Sequence, residues 1–246
     1  MEKKQKTPGI VSSLRYLLFP KRCIACDGIL PQEEWDADFC PVCASKWATA
    51  TRLECPTCGR PDQQCRCLPK FKTSCIIAYV HAVAYERGVV SGVIYGMKRK
   101  RKSEAIRFAA NLMCTALRDA MKDEPCVYPF FVTSVPPGAD AVRSGVDHAA
   151  ELAKAVAEQM DYPYAPLLVR ARRSKKQKSL SATAREQNAQ KSYGLMEAAE
   201  AMADRKCIIL VDDVLTTGAT TKTCASLLRK AGAAQVVVLT FAKTHK

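Results

Sequence analysis

The chain has 246 residues, of which 38 are Lys or Arg and 24 are Asp or Glu, so its formal net charge is +14. An apolar content of 48% is enough to build a buried core, which excludes wholesale disorder. No apolar run approaches the roughly 18–20 residues that a membrane-spanning helix needs, so a membrane-spanning protein is excluded. Arg15 interrupts the N-terminal apolar stretch and no small-residue cleavage site follows, which argues against a signal peptide and predicts a cytoplasmic protein.

Taken in chain order, the predicted elements begin with a short amphipathic helix at residues 12–19, which leads into a cysteine-rich region. Apolar runs rich in β-branched residues then predict strands at residues 74–85, 128–135, 164–169, 206–211 and 235–241. Apolar side chains three and four positions apart predict helices at residues 103–122, 144–160 and 218–231. Alternating strands and helices predict an α/β fold with a mainly parallel sheet flanked by helices. The polar stretch 170–192 is too long for a simple connector and predicts a mobile flap.

Eight of the 13 cysteines form four close pairs within 45 residues. The pairs are Cys23 with Cys26, Cys40 with Cys43, Cys55 with Cys58, and Cys65 with Cys67. A Cys-x2-Cys knuckle lets two thiolates reach one tetrahedral Zn²⁺, and a second knuckle completes the coordination shell without an open position. We therefore predict one or two structural Zn²⁺ ions in a small zinc-ribbon domain at residues 1–68, followed by a second domain at residues 69–246.

Two points about this ribbon region stay open at the level of sequence. The metal sites can be assigned sequentially, with the first four cysteines in one site and the last four in the other, or in an interleaved order. Trp35, Phe39 and Trp47 could stack on nucleic-acid bases or form the small core of the ribbons. The general tendency of aromatic side chains to be buried favours the core.

A second informative segment is the apolar run from Cys207, which ends in Asp212 and Asp213 and continues into a loop of threonines and glycine. A parallel strand delivers such residues to its carboxyl edge, where open α/β sheets bind ligands. The unpaired N–H groups at the start of the next helix suit a phosphate monoester, and the two carboxylates suit vicinal hydroxyls or Mg²⁺. No GxxxxGK[ST] loop lies upstream, which excludes a P-loop ATPase.

These residues resemble a known family. Residues 211–220 are similar to the phosphoribosyl pyrophosphate (PRPP) motif of type I phosphoribosyltransferases. Leu18, Phe19 and Pro20 before Cys23 and Cys26 narrow the resemblance to the ComF family of competence-associated proteins, in which a PRPP-binding domain follows a double zinc ribbon. Residues 95–98 and 177–188 are also similar to family segments, whereas residues 132–136 and 144–147 depart from the family pattern.

The resemblance implies a type I phosphoribosyltransferase-like fold that binds PRPP together with Mg²⁺. Asp212 and Asp213 would bind the 2′- and 3′-hydroxyls of the ribose, and Lys98 would add positive charge to the site. The 5′-phosphate would lie against Thr216, Thr217, Gly218, Ala219 and Thr220. The pyrophosphate loop would consist of Ser134, Val135, Pro136, Pro137 and Gly138.

Two basic clusters hold much of the excess positive charge, and clustered charge favours contact with nucleic acid or polyphosphate over an ordinary solvated surface. Their candidate nucleic-acid contacts are Lys98, Arg99, Lys100, Arg101 and Lys102, then Arg172, Arg173, Lys175 and Lys176. We predict a PRPP-binding protein that assists single-stranded DNA handling in DNA uptake, with proteins of the uptake machinery as candidate partners. The alternative is an active phosphoribosyltransferase that displaces pyrophosphate with an unidentified nucleophile, although no His or Glu stands out in the sequence as a general base.

Overall fold

The computed structural model describes residues 18–51, 76–98, 103–122, 126–138, 147–170 and 192–244. Its strands are β1 Ala78–Ala84, β2 Phe130–Ser134, β3 Leu168–Arg170, β4 Tyr193–Leu195, β5 Cys207–Leu215 and β6 Gln235–Lys243. Its α-helices are α1 Pro41–Ala50, α2 Val89–Lys98, α3 Ser103–Met121, α4 His148–Met160, α5 Ala199–Ala203 and α6 Ala219–Lys230. A single 3-10 turn at Gln32–Glu34 precedes α1.

Four of these strands form one parallel sheet in the order β1-β6-β5-β2. Strands β3 and β4 form a separate antiparallel ribbon. The two central strands of the parallel sheet, β5 and β6, are almost continuously apolar and buried, because helices cover both of their faces. The predicted α/β fold with a mainly parallel sheet flanked by helices is confirmed.

Helices cover the two faces of the sheet in separate groups. On one face, alternate residues of β5 such as Ile209 pack with buried residues of α2, α3 and α4. On the other face, Ile208 and Leu210 pack with buried residues of α5 and α6. This alternation follows from the two-residue period of a strand, which sends successive side chains to opposite faces.

Some elements differ from their predicted lengths. Strand β5 runs beyond residue 211 to Leu215, because it stays paired with β6 as far as Lys243 and so carries both acidic residues inside the ladder. The strand predicted at 164–169 is reduced to Leu168–Arg170, with Tyr164 making an isolated bridge to Val132. Pro163 and Pro166 lack the N–H that a ladder requires, which accounts for the shortening. Helices α1, α2 and α5 and strand β4 lie outside the predicted elements.

The described part of the cysteine-rich region packs directly onto the sheet domain. The Trp47 ring stacks on Phe39 at a centroid distance of 5.2 Å and meets Phe108 of α3 at 5.1 Å and Phe241 of β6 at 6.4 Å. Phe39 also contacts Phe108 edge-on at 5.1 Å. These rings therefore belong to a core, as the sequence favoured, but it is a core shared with the sheet domain.

The predicted domain boundary at residues 68 and 69 lies outside the described residues. So do residues 12–17 of the predicted helix at 12–19 and residues 171–191 of the predicted flap at 170–192. Within the ranges given above, no helix is both long and apolar enough to cross a membrane.

Candidate functional site

A cleft of about 260 Å³ opens at the carboxyl ends of strands β2 and β5. Its walls come from six places in the chain that only the fold brings together. The lining residues are Lys98, Val135, Pro136, Pro137, Gly138, Asp147, His148, Ala149, Arg170, Tyr193, Asp212, Asp213 and Thr220. The carboxyl edge of a parallel sheet is the usual ligand-binding position in α/β proteins, so this cleft is the candidate site.

The two acids of β5 meet the cationic end of helix α2 in this cleft. The Lys98 ammonium forms an ion pair with the Asp213 carboxylate. The Asp213 backbone N–H donates to Asp212 Oδ1 at 2.9 Å. Burial raises the pKa of Asp212 well above its ordinary value, the negative charge of Asp213 raises it further, and Lys98 offsets only part of this. Asp212 is thus a carboxylate whose ionised form gains from any hydroxyl donor or cation placed beside it.

The loop after β5 leads into helix α6 through Gly218, which adopts φ 78° at the N-cap. A residue with a Cβ is strained in this left-handed conformation, so the glycine is required by the turn. The Thr221 hydroxyl donates to the Gly218 carbonyl at 3.0 Å, and the Ala219 N–H donates to Thr217 Oγ1 at 3.4 Å. Thr220 lines the cleft, while Thr216 and Thr217 lie exposed on the loop beside it.

The predicted pyrophosphate loop forms the opposite wall. Val135 to Gly138 line the cleft, but Ser134 is buried below it, with its hydroxyl 3.4 Å from the Tyr164 hydroxyl. Arg170, from the end of β3, donates through Nη1 to the Pro137 carbonyl at 3.4 Å. The structure therefore adds Arg170 to the cleft as a second cation besides Lys98.

Tyr193 of β4 lies under this arginine. The Arg170 guanidinium carbon is 5.4 Å from the Tyr193 ring centroid, within range of a cation–π contact. Neither Arg170 nor Tyr193 is among the site residues predicted from the sequence. Only the pairing of β3 with β4, which joins residues on either side of a long connection, brings the two together.

Sequence reasoning also missed His148, the first residue of helix α4. Asp147 caps this helix by accepting from the Ala150 N–H at 2.9 Å, which leaves His148 on the cleft wall. Its buried Nδ1 has no hydrogen-bond partner within the part of the chain that the structure describes. Burial lowers the pKa of His148 and the charge of Lys98 lowers it further, which favours the neutral imidazole. The available signal was its place beside Asp147, in the segment that departs from the family pattern.

The first four cysteines of the predicted ribbon converge on one point. The thiol sulfurs of Cys23, Cys26, Cys40 and Cys43 all lie within 4.8 Å of one another, and Cys26 Sγ is 3.8 Å from Cys40 Sγ. A tetrahedral Zn²⁺ with bonds of about 2.3 Å requires sulfur–sulfur distances of about 3.8 Å, so the group fits this ion. The grouping is the sequential one for these four residues. Cys55, Cys58, Cys65 and Cys67 lie outside the described residues.

The backbone around this cluster favours the thiolate form of its first member. Burial by itself raises the pKa of Cys23, but N–H groups of Cys26, Cys40 and Ala25 point at its sulfur and bring the pKa down to about 7. Burial raises the pKa of Cys43, with no comparable set of donors. Such N–H donors are the outer contacts that orient thiolate ligands in metal knuckles.

Comparison with known proteins agrees with this geometry. Residues 145–246 match the family model described as "Phosphoribosyl transferase domain". The chain is homologous to one protein named for DNA utilisation and to one named for competence. It is 27% identical to the "DNA utilization protein YhgH" of Escherichia coli (strain K12) over 235 residues, 93% of this chain and 99% of that protein. It is 31% identical to "Competence protein F" of Haemophilus influenzae over 134 residues, 54% of this chain and 58% of that protein.

These matches confirm the resemblance to the ComF family. Among solved structures, the "allosteric regulatory enzyme of purine biosynthesis" is 22% identical, with a TM-score of 0.37 over 55% of this chain and 25% of that one, a likeness too low to carry a conclusion. Of the predicted nucleic-acid contacts, Lys98 lies in the cleft, and the others fall outside the described residues. They are Arg99, Lys100, Arg101, Lys102, Arg172, Arg173, Lys175 and Lys176.

Proposed function

We propose that the cleft binds PRPP with Mg²⁺ and that the protein uses this site while handling single-stranded DNA in the cytoplasm during DNA uptake or utilisation. The observation that carries the proposal is the position of Asp212 and Asp213 at the ligand-binding edge of the sheet, with the start of α6 beside them and Lys98 opposite. The phosphoribosyltransferase domain match at residues 145–246 supports the same ligand.

Each part of PRPP has a chemically suitable partner in this arrangement. The ribose hydroxyls would donate to Asp212 and Asp213, which favours their ionised forms. The 5′-phosphate would accept hydrogen bonds at residues 216–220, where the helix dipole of α6 favours an anion. The pyrophosphate would lie against residues 134–138, with Lys98 and Arg170 as its cationic partners.

Mg²⁺ would enter this cleft together with PRPP. Over the described ranges, the cysteine cluster is the one group of three or more potential metal ligands with mutually close ligand atoms, so no acidic cage of that kind is preformed there. Mg²⁺ commonly keeps several waters and binds through one or two carboxylates plus substrate phosphates. The pyrophosphate oxygens would therefore supply much of its coordination.

The DNA part of the proposal rests on charge and on the two homologues. Both basic stretches of the sequence are covalently joined to the cleft wall, one after Lys98 and the other after Arg170. Lys and Arg side chains that neutralise phosphates give strong, salt-dependent binding to nucleic acid. The names of the homologues link them to DNA utilisation and competence.

Titrations with each ligand, alone and together, test the proposal. Asp212→Asn/Asp213→Asn is expected to abolish Mg²⁺-dependent PRPP binding and to leave salt-sensitive single-strand binding intact. Neutralising residues 98–102 is expected to weaken the single-strand binding. Asp119→Asn, on the exposed side of α3, is the matched control and should change neither. Absence of binding by both ligands to the wild-type protein contradicts the proposal.

Phosphoribosyl transfer is the second candidate function, and His148 is the observation that favours it. In that reaction, the lone pair of an acceptor X–H attacks C1 of the ribose, the C1–O bond to pyrophosphate breaks, and the acceptor proton passes to a base. His148 lies on the cleft wall and its lowered pKa favours the neutral imidazole, which can accept this proton. Mg²⁺-dependent release of pyrophosphate that His148→Asn abolishes, with PRPP affinity retained, would establish the enzyme.

A further inference from the structure

The turn between Cys23 and Cys26 rests on helix α2 at two glycines. A Cβ at Gly92 would lie 2.6 Å from the Ala25 carbonyl oxygen, and a Cβ at Gly96 would lie 2.7 Å from the Ile24 carbonyl oxygen. Both distances are shorter than real Cβ contacts, and both obstacles are backbone atoms that cannot rotate away. The two positions are four residues apart and therefore share one face of the helix. The backbone of the metal knuckle packs against that face of α2.

The knuckle and the helix are held together by buried apolar residues. Ile24 is 1% exposed and belongs to the same core cluster as Val90, Val93 and Met97 of α2. Glycine inside a helix destabilises it relative to alanine, so two glycines on one face need a compensating contact. The close approach of the knuckle supplies that contact and fixes the position of α2.

Helix α2 ends in the candidate site. Lys98 is its last residue, two positions after Gly96, and its ammonium forms the ion pair with Asp213. A shift of α2 away from the knuckle would carry Lys98 with it, because a helix moves as a rigid element over so short a span. The metal site and the cleft are therefore linked by one helix, which contacts the knuckle at Gly92 and Gly96 and contacts Asp213 through Lys98.

We propose that the metal-bound knuckle positions Lys98 for the ligand of the cleft. The four cysteines then serve ligand binding without touching the ligand, and Gly92 and Gly96 are positioning residues. The identity of the ligand as PRPP rests on the proposed function, but the positioning of Lys98 does not.

The first experiment measures the position of Lys98 without any ligand. Reductive methylation of lysines in the zinc-loaded protein is followed by mass spectrometry for the wild type and for Gly96→Ala. Lys98 should be methylated several-fold faster in Gly96→Ala and in wild-type protein treated with a chelator, because its pairing with Asp213 is disturbed. Lys154, which pairs with Glu151 on α4, is the internal reference. Thr115→Ala, an exposed change on neighbouring α3 that also raises helix propensity, should leave both rates unchanged.

The second experiment is a double-mutant cycle read out by PRPP titration in the presence of Mg²⁺. Gly96→Ala should weaken PRPP binding about tenfold in the wild-type background, the scale of one charge-assisted hydrogen bond. It should add little in a Lys98→Met background, where the group that it displaces is already gone. If the effects of Gly96→Ala and Lys98→Met on PRPP binding are additive, Gly96 influences binding by a route that does not involve Lys98.

The outcomes separate the two proposals. A folded Gly96→Ala protein with full zinc content, wild-type methylation of Lys98 and wild-type PRPP affinity overturns the positioning role. If Gly96→Ala does not fold, Gly92→Ala one turn earlier and the chelator-treated wild type give the same readouts. If wild-type protein binds no PRPP, the proposed function fails, while the methylation rates still decide the positioning of Lys98.

Discussion

Lys98, at the end of helix α2, forms an ion pair with Asp213 of strand β5 in the candidate site. The pair joins the two halves of the cleft, since Asp213 belongs to the proposed ribose side and Lys98 to the proposed pyrophosphate side. Without ligand, each group neutralises the other in a partly buried position. A ligand that offers hydroxyls to the acid and phosphate oxygens to the ammonium can replace both contacts at once.

The first prediction concerns Lys98 itself. Lys98→Met should weaken PRPP binding by about 10- to 100-fold, because hydrogen bonds to charged groups contribute about 1.5–3 kcal/mol. Lys98 is 46% exposed in its ion pair, so the free energy of unfolding should change by less than about 1 kcal/mol. Isothermal titration calorimetry and urea denaturation measure the two effects.

Lys154→Met is the matched control for this prediction. Lys154 pairs with Glu151 on the exposed side of α4, away from the residues that line the cleft. PRPP affinity should be unchanged in this variant. A Lys98→Met protein with wild-type affinity would remove Lys98 from the ligand site.

The second prediction is that Asp212→Asn stabilises the protein while it weakens PRPP binding. The ordinary pKa of Asp is near 3.8, and burial raises the pKa of Asp212 well above that value. As the pH rises above 3.8, the unfolded chain releases this proton while the folded protein retains it, so the stability of the wild type falls over that window. Asparagine does not ionise, so the Asp212→Asn variant does not lose stability over this pH window.

Urea denaturation as a function of pH measures this effect. Asp212→Asn should be more stable than the wild type at pH 7, and the difference should shrink as the pH falls towards 4. A difference that stays constant with pH would show that the Asp212 carboxyl is not the origin.

The third prediction concerns the cysteine cluster. Purified protein should contain at least one tightly bound Zn²⁺ per chain, and Cys40→Ser should lose the metal held by the first four cysteines. Because Cys40 precedes α1 and Trp47 lies on that helix, loss of the ion should also change the tryptophan fluorescence. Elemental analysis and emission spectra measure the two effects. Cys126→Ser, a thiol outside the cluster, should retain the zinc of the wild type.

The fourth prediction separates a core role for Trp47 from base stacking. Trp47→Ala should lower the free energy of unfolding by about 3 kcal/mol, because it removes a ring packed against Phe39, Phe108 and Phe241. Single-strand affinity of the folded variant should be unchanged. Phe19→Ala, at a residue 76% exposed, should alter stability by less than about 0.5 kcal/mol. If Trp47→Ala loses single-strand affinity but keeps its stability, Trp47 is a base-stacking residue and not a core residue.

The sequence alone predicts what depends on local spacing. The parallel sheet follows from the alternation of apolar runs with helical periodicity, and the first metal cluster follows from two Cys-x2-Cys pairs. The segment from Cys207 to Thr220 also reads correctly as a strand, a turn and a helix start, because each of these steps is encoded by neighbouring residues. Helix α1 was not predicted because Cys40 and Cys43, at its start, were interpreted as a metal knuckle and not as part of a helix.

Tertiary structure decided which of these pieces meet. The contacts of Lys98 with Asp213, of Arg170 with Tyr193 and of Gly96 with Ile24 each join residues far apart in the chain. Such pairings follow from how helices pack on the sheet and how strands align, and no periodicity within one segment specifies them. The sequence by itself therefore determined that a basic chain carries a thiolate metal cluster and a sheet edge suited to binding phosphate. The fold decided that helix α2, which packs against the turn of the cysteine cluster, is also the helix that supplies Lys98 to the ligand-binding edge of the sheet.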